Sequence, residues 1–439
     1  MGEDLEKLPL WKVLTTWIVR ILVGSVFVFS GFTKSVDVWG TFYKIEDYVG
    51  VMGLDLWPNL ISVGSFLLCM LEFVTGAFLL LGCFRKSIPV VMAVVMGFML
   101  PFTLWIALFD PVKDCGCFGD AYIISNWNTF WKNVALTAGV VWLLIYNRRI
   151  HWIITPSLQW ICFIATTIYI AAIALIGYYD QPLLDFRPFK TGTALVNEEN
   201  GDAYEPQYVF VYEKDGVKKE FGQDDEMPDE ADGWKFVDRK ETGQAKIPEN
   251  DNSSLFITDE NNDEIDVTEA IPPYGAEFIL FMPSLGDLPI ASSYKINSLY
   301  SWAQEHDVAM VALTGGTKEE IVRWKVIAMA GYPVFRMDDT MIKMIVRGNP
   351  ALVYLEDGRI QWKRSLQSIP IDDFMESGGK WNPAELSADS RGVLRNISYG
   401  YLSVLAVLAA LSFIPLLGRC FHLGRKKTAE VRSDDKDRP

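Results

Sequence analysis

Asp110-Pro111-Val112-Lys113-Asp114-Cys115-Gly116-Cys117-Phe118-Gly119-Asp120 is a short polar hairpin set between two long apolar runs. It carries the only two cysteines that lie close together in the chain. Two thiols flanking one glycine can close a small, strained disulfide, and the glycine relaxes the backbone demand. Strain raises the reduction potential, so such a bond would oxidise other thiols. The reading of the chain then turns on what surrounds the hairpin and which side of a membrane it faces.

The surroundings are apolar. Runs at residues 13–33, 60–81, 88–109, 130–146, 153–177 and 397–417 are each about 17–25 residues, enough to cross about 30 Å of hydrocarbon. The first lacks a small-residue cleavage site and reads as a retained helix. Arg85 and Lys86 follow the second run, Arg148 and Arg149 the fourth, and Arg419, Arg425, Lys426 and Lys427 the sixth. These loops are expected in the cytoplasm, with both termini. The intervening loops carry Asp37, Glu46, Asp47, the hairpin and a long acidic segment, and so face outward, where disulfides persist. Val38, Phe42, Ile45, Val49 and Met52 recur at helical spacing in the first outer loop. They predict an amphipathic helix on the membrane surface or capping the bundle.

The net charge of −15 comes from the segment between Tyr178 and Asn396, which holds about 40 acidic against about 22 basic residues. That acidity excludes nucleic-acid binding. The only histidines, His151, His306 and His422, lie far from the hairpin in sequence and argue against zinc or a Ser-His-Asp triad. Short β-like runs at 208–213 and 217–221, turned by Asp215-Gly216, predict a hairpin, with further strands at 234–237 and 255–258. Residues 224–232 read as an acidic loop, and Asn252-Ser253-Ser254 matches a glycosylation sequon. From Tyr274 onward strands and helices alternate in an order that resembles a thioredoxin fold, with Pro350 where thioredoxins carry a proline, usually cis. After the first strand, however, stands Met282-Pro283-Ser284-Leu285-Gly286-Asp287 instead of Cys-x-x-Cys, and the domain contains no cysteine. It cannot exchange thiols itself.

The candidate site is therefore Cys115 and Cys117, supported by Lys113, Asp114, Gly116, Asp120 and Lys132. Lys113 and Lys132 would favour the thiolate; Asp114 and Asp120 would oppose it. The alternatives are a disulfide that only tightens a turn, and Cu(I) binding with Met92, Met96 and Met99, which share one face of the third span. Such a methionine stripe also serves plain packing. Arg20 and Glu72 are ionisable residues within spans one and two. Counted from the span ends they lie at similar depth and are expected to pair, as a structural ion pair first and a proton or quinone-head site second. Cys69, Cys83, Cys162 and Cys420 are assigned no role.

Arg20-Ile21-Leu22-Val23-Gly24, Phe29-Ser30-Gly31-Phe32-Thr33-Lys34, Glu72 with Gly76, and Leu79-Leu80-Leu81-Gly82 resemble DoxX and MauE-type membrane proteins. The cysteine hairpin, with Asn126-Trp127 and Phe130-Trp131-Lys132-Asn133 behind it, resembles the redox-associated branch of that family. The resemblance implies a four-helix bundle similar in plan to vitamin K epoxide reductase-like proteins, in which an outward cysteine pair passes electrons to a membrane quinone. It also implies a bacterial inner-membrane, multi-pass location with a periplasmic domain. No second cysteine pair stands in the first outer loop, so a partner, such as a periplasmic thioredoxin-like or other thiol-bearing protein, must dock directly on the hairpin. The expected fold is an α-helical transmembrane four-helix bundle plus two further spans, with an α/β thioredoxin-like domain preceded by a β-rich segment. The expected division is residues 1–150 for the bundle, 151–179 for the fifth span, 180–270 for the acidic β-rich segment, 271–390 for the thioredoxin-like domain, and 391–439 for the last span and basic tail. The expected activity is quinone-linked thiol–disulfide oxidoreduction. The alternative is a non-enzymatic membrane scaffold.

Overall fold

In a computed structural model, residues 9–54, 56–112, 115–146, 153–195, 208–214, 217–221, 234–241, 256–259, 264–272, 274–376 and 382–434 are described. The chain separates into two compact units, residues 1–186 with 388–439, and residues 187–387.

The first unit is helical: α1 (Leu10–Val36), α2 (Val38–Val51), α3 (Pro58–Leu81), α4 (Ser87–Phe109), α5 (Asn126–Tyr146), α6 (Gln159–Tyr179) and, after the second unit, α12 (Ser390–Asp434). Among the described residues, six helices are long and apolar enough to cross a membrane. Together with the sequence they describe a multi-pass membrane protein. α2 buries Val38, Thr41, Phe42 and Tyr48, while Val51 and Met52 stay exposed, so it caps the bundle. α12 packs on α6 through stacked rings of Tyr169 and Tyr401, 4.3 Å apart, and a hydrogen bond of 3.1 Å between Tyr169 and Ser398.

The antiparallel pair α1 and α3 is the tightest seam. A Cβ on Gly31 would lie 2.7 Å from Phe73 Cα, and one on Gly76 would lie 2.6 Å from Val28 N. Only glycine lets the two backbones approach this far, the usual device where helices meet in lipid. Gly64 of α3, by contrast, has open space at its Cβ position. Gly31→Ala is expected to cost about 1–3 kcal/mol through overpacking. Gly64→Ala should be neutral or gain up to about 1 kcal/mol from helix propensity. Thermal unfolding in detergent compares the two, and equal shifts would contradict the seam.

The second unit carries a three-stranded antiparallel sheet in the order β2-β1-β3, from β1 (Tyr208–Lys214), β2 (Val217–Phe221) and β3 (Lys235–Glu241). Its second sheet has seven strands. β4 (Phe256–Thr258) and β5 (Glu264–Asp266) precede the short α7 (Val267–Ala270). Then follow β6 (Ala276–Met282), α8 (Ser292–Glu305), β7 (Ala309–Thr314), α9 (Lys318–Ile327), β8 (Val334–Arg336), α10 (Asp339–Ile345), β9 (Ala351–Glu356), β10 (Arg359–Ser365) and α11 (Ile371–Glu376). The order is β10-β9-β6-β7-β8-β4-β5, with β6, β7 and β8 parallel and β9 and β10 antiparallel to them. Its β8-β7-β6-β9-β10 part has thioredoxin-like topology. From Phe278 to Met282 β6 is apolar on both faces because both are covered. Phe278, Leu280 and Met282 pack under α8 and α9, and Ile279 and Phe281 under α10. Each fully buried side chain of this size contributes roughly 1.5–3 kcal/mol.

The sequon at Asn252, the turn Asp215-Gly216 and the acidic loop 224–232 lie outside the described residues. β4 falls on the strand expected at 255–258, whereas β5 and β8 were not expected. β8 is three residues long, with alternation too short to register.

Candidate functional site: the hairpin and the cavity beneath it

α4 ends at Asp110, whose φ of 46° turns the chain out of the helix. The hairpin is then held from four sides. Asn126 Nδ2, at the start of α5, donates to Asp110 Oδ1 at 2.6 Å and to the Val112 carbonyl at 2.9 Å. The Tyr48 hydroxyl of α2 donates to the Cys115 carbonyl at 2.9 Å. Ser30 Oγ of α1 lies 2.7 Å from the Cys117 carbonyl. The Phe118 ring sits 5.3 Å from that of Phe29 and 4.3 Å from Lys132 Nζ of α5.

Cys115 and Cys117 are disulfide-bonded, with Cα atoms 5.5 Å apart. Gly116 between them has a φ of +63°, a conformation that favours glycine. Cys115 is partly exposed, whereas Cys117 retains 8% of its surface. Asp120 lies in the short turn that follows, and Lys113 and Asp114 lie outside the described residues.

Cys117 also lines a cavity inside the bundle, together with Ser30, Lys34, Glu72, Lys132 and Asn133. Lys34 Nζ donates to both Glu72 carboxylate oxygens, at 2.7 and 2.9 Å. Lys34 is 4% exposed and Glu72 5%. The expected Arg20–Glu72 pair does not form. Arg20 donates instead to the carbonyls of Leu79 and Leu80 at the end of α3, with its guanidinium 4.7 Å from the Trp17 ring. Ser30, the α1 residue that meets Glu72, stands ten residues beyond Arg20, about 15 Å along the helix. Depth counting from the span ends failed because α1 begins at Leu10 and overhangs the end of α3.

The methionine stripe is split. Met96 and Met99 line the cavity with Cys117, while Met92 packs in the apolar core with Val23 and Phe27. Sequence reasoning passed over Lys34, Ser30, Tyr48 and Asn133. A lysine two residues from the end of an apolar run, facing a lone glutamate in the next, was the available signal for the first. Cys83 and Cys162 are also brought together, both buried in the same apolar cluster of the bundle. In the second unit the Asn349–Pro350 peptide is cis, and Asn349 Nδ2 donates to the Ser284 carbonyl at 2.6 Å, where a thioredoxin would carry its cysteines.

A second, largely apolar groove runs between α1 and α5 past Thr15, Val19, Leu22, Gly139 and Trp142. It shares Lys132 and Leu136 with the cavity beneath the hairpin.

Comparison with known proteins adds the following. Residues 12–146 match the family model of methylamine utilisation protein MauE. Residues 206–243 match a domain of unknown function, DUF8463. No curated protein matches the chain. Among solved structures, a proposed protein disulfide isomerase from Bacteroides thetaiotaomicron is similar at 12% identity and TM-score 0.24, covering 28% of this chain and 82% of that one. The mitochondrial 2-Cys peroxiredoxin from Plasmodium falciparum is similar at 15% identity and TM-score 0.21, covering 30% and 95%. A reduced 2-Cys peroxiredoxin from Plasmodium vivax is similar at 16% identity and TM-score 0.20, covering 29% and 84%. The hairpin and its cavity thus lie within residues 12–146, the part of the chain that is similar to the MauE family.

Proposed function

We propose that this protein is a thiol–disulfide redox protein of the bacterial inner membrane that offers its Cys115–Cys117 disulfide to exported thiols on the periplasmic side. The observation that carries this reading is a disulfide whose Cys115 is partly exposed while Cys117 is buried at a cavity in the bundle that Lys34, Glu72 and Lys132 also line. The lysine and arginine distribution of the short loops supports the orientation.

A partner thiolate attacks Cys115 Sγ, the Cys115–Cys117 bond breaks, and Cys117 Sγ leaves with the electron pair. A second partner thiolate then attacks the partner sulfur of the mixed disulfide and expels Cys115, leaving the partner oxidised and the pair reduced. The residues present suit a membrane quinone as the electron acceptor. The cavity beneath the hairpin, about 30 Å³, has room for a water and not for a ring, so a quinone head would be held in the α1–α5 groove, about 420 Å³, where Lys132 is the polar contact. Bound there, a quinone would supply a two-electron, two-proton acceptor for the dithiol.

Cys117→Ala leaves Cys115 as a lone thiolate. It attacks the disulfide of an already oxidised partner, forms the same mixed disulfide by the reverse of the second step and releases the partner's other thiolate. With no Cys117 to expel the partner, adducts on Cys115 should be visible on non-reducing gels. The double serine variant should retain none. Absence of any adduct on Cys117→Ala and Cys115→Ala, with the native pair in one redox state before and after quinone depletion, overturns the proposal. That result would favour a membrane scaffold with a structural disulfide, a reading whose support is the absence of cysteine from the thioredoxin-like domain.

A further inference from the structure

We infer that Glu72, held between Lys34 and Ser30, is the proton carrier for the Cys117 sulfur. The inference rests on the reading of Cys115 and Cys117 as redox-active, and it starts from a count of hydrogens. Ser30 Oγ lies 2.6 Å from Glu72 Oε2 and 2.7 Å from the Cys117 carbonyl oxygen. A serine hydroxyl has one hydrogen to give. With Glu72 as a carboxylate, both neighbours are acceptors, and one of the two short contacts has no hydrogen between its oxygens. A proton on Glu72 Oε2 satisfies both. Glu72 then donates to Ser30, and Ser30 donates to the Cys117 carbonyl. The cluster therefore has a vacant proton position, and filling it ties the carboxyl to the backbone of the buried cysteine.

The route proposed for that proton to the Cys117 sulfur is the cavity the two residues share, which at about 30 Å³ has room for one relaying water. Cys117 and Glu72 line the same cavity. The charged and titratable groups facing it are few. Lys34 comes from α1 and Lys132 from α5, and Cys69 lies one turn before Glu72 on α3, hydrogen-bonded to Thr41 of α2. α4 contributes only Val95, Met96 and Met99. Lys34 keeps Glu72 in place in either protonation state, because its ammonium spans both oxygens.

The step balances within the chain and its thiol partner. When a partner thiolate attacks Cys115 Sγ, the electron pair leaves on Cys117 Sγ, and the Glu72 proton moves to that thiolate. In the reverse direction Cys117 gives its proton to the Glu72 carboxylate, and the resulting thiolate attacks Cys115 Sγ and expels the partner thiolate. Positioned proton transfer of this kind contributes about 10²–10⁴-fold.

The test measures alkylation of Cys117 by iodoacetamide across pH, by peptide mass spectrometry, on the reduced full-length protein in quinone-free detergent. It needs neither partner nor quinone, so its failure is distinct from failure to trap an adduct in cells. Two linked groups sharing a proton give a rate profile with two rises. The expected result is two rises for the native protein, one for Glu72→Gln, and two again for Glu72→Asp. Ser30→Ala, which leaves the Lys34–Glu72 pair intact, should slow the lower-pH limb at least about fivefold, within the range of positioned proton transfer. A single rise in the native protein, two rises surviving in Glu72→Gln, or an unchanged profile in Ser30→Ala overturns the inference. A Glu72 that served only as an ion-pair partner would give a single rise throughout.

Discussion

Replacing Lys34 by methionine is expected to destabilise the membrane unit by about 3–5 kcal/mol, the cost of leaving one member of a buried pair behind. Lys34 and Glu72 are joined at 2.7 Å, with about one-twentieth of either side chain exposed. Water does not screen the pair, and its value is unlike that of a surface salt bridge. Methionine has nearly the length and volume of the lysine stem, so packing against α3 survives while both hydrogen bonds to the carboxylate vanish. Glu72 then keeps only Ser30. The double variant Lys34→Met, Glu72→Met should recover most of the loss, because a buried pair replaced by apolar groups of similar shape is often neutral or better. Unfolding followed by tryptophan fluorescence in detergent measures both. A single variant within about 0.5 kcal/mol of native, the ordinary range for a surface change, would show that Glu72 carries no buried charge once Lys34 is gone.

The same residues show what the sequence could and could not convey. The spans were legible because hydrocarbon thickness imposes a length on any apolar helix. The cysteine pair was visible because a single residue, Gly116, separates its members. The alternation after Tyr274 was legible because β6, α8, β7 and α9 follow one another with the periods of strand and helix. The partner of Glu72 was not, because it depends on the register of α1 against α3. That register is set by the glycine seam and by the overhang of α1, and neither shows in a residue count from the span ends. Arg20 was misassigned for the same reason. A charge in an apolar run need not meet the opposite charge, and backbone carbonyls at the end of a neighbouring helix satisfy a guanidinium as well. The lateral groove between α1 and α5 was equally hidden, since its walls are ordinary apolar residues that become a site only through their meeting at Lys132.

In the thioredoxin-like unit the largest effect is expected from pH acting on Glu277. This residue lies on the central strand β6, paired with Ala309 of β7 and Leu355 of β9, and is 2% exposed. Neither carboxyl oxygen has a hydrogen-bond partner. Burial pushes its pKa up to about 8, while an unfolded chain returns it to about 4.3. Between those values the folded domain holds a proton that the unfolded chain has released, so stability falls as pH rises. Below the lower value both states are protonated, and above the upper one both are ionised, so stability is flat with respect to this group at either end. The loss across the window is on the order of 3–5 kcal/mol. Glu277→Gln keeps the shape, removes the titration and should abolish this slope. Its difference from native should be small near pH 4 and largest above pH 8, with the variant the more stable. Hydrogen exchange of peptides covering β6 and β9, corrected for intrinsic rates, reads the effect in place within the full chain. A slope unchanged in Glu277→Gln would assign the pH response to another group. A slope of opposite sign would mean that the carboxylate is solvated or paired in the folded domain, because only a group whose charged form is stabilised by folding makes the protein stronger as the proton leaves.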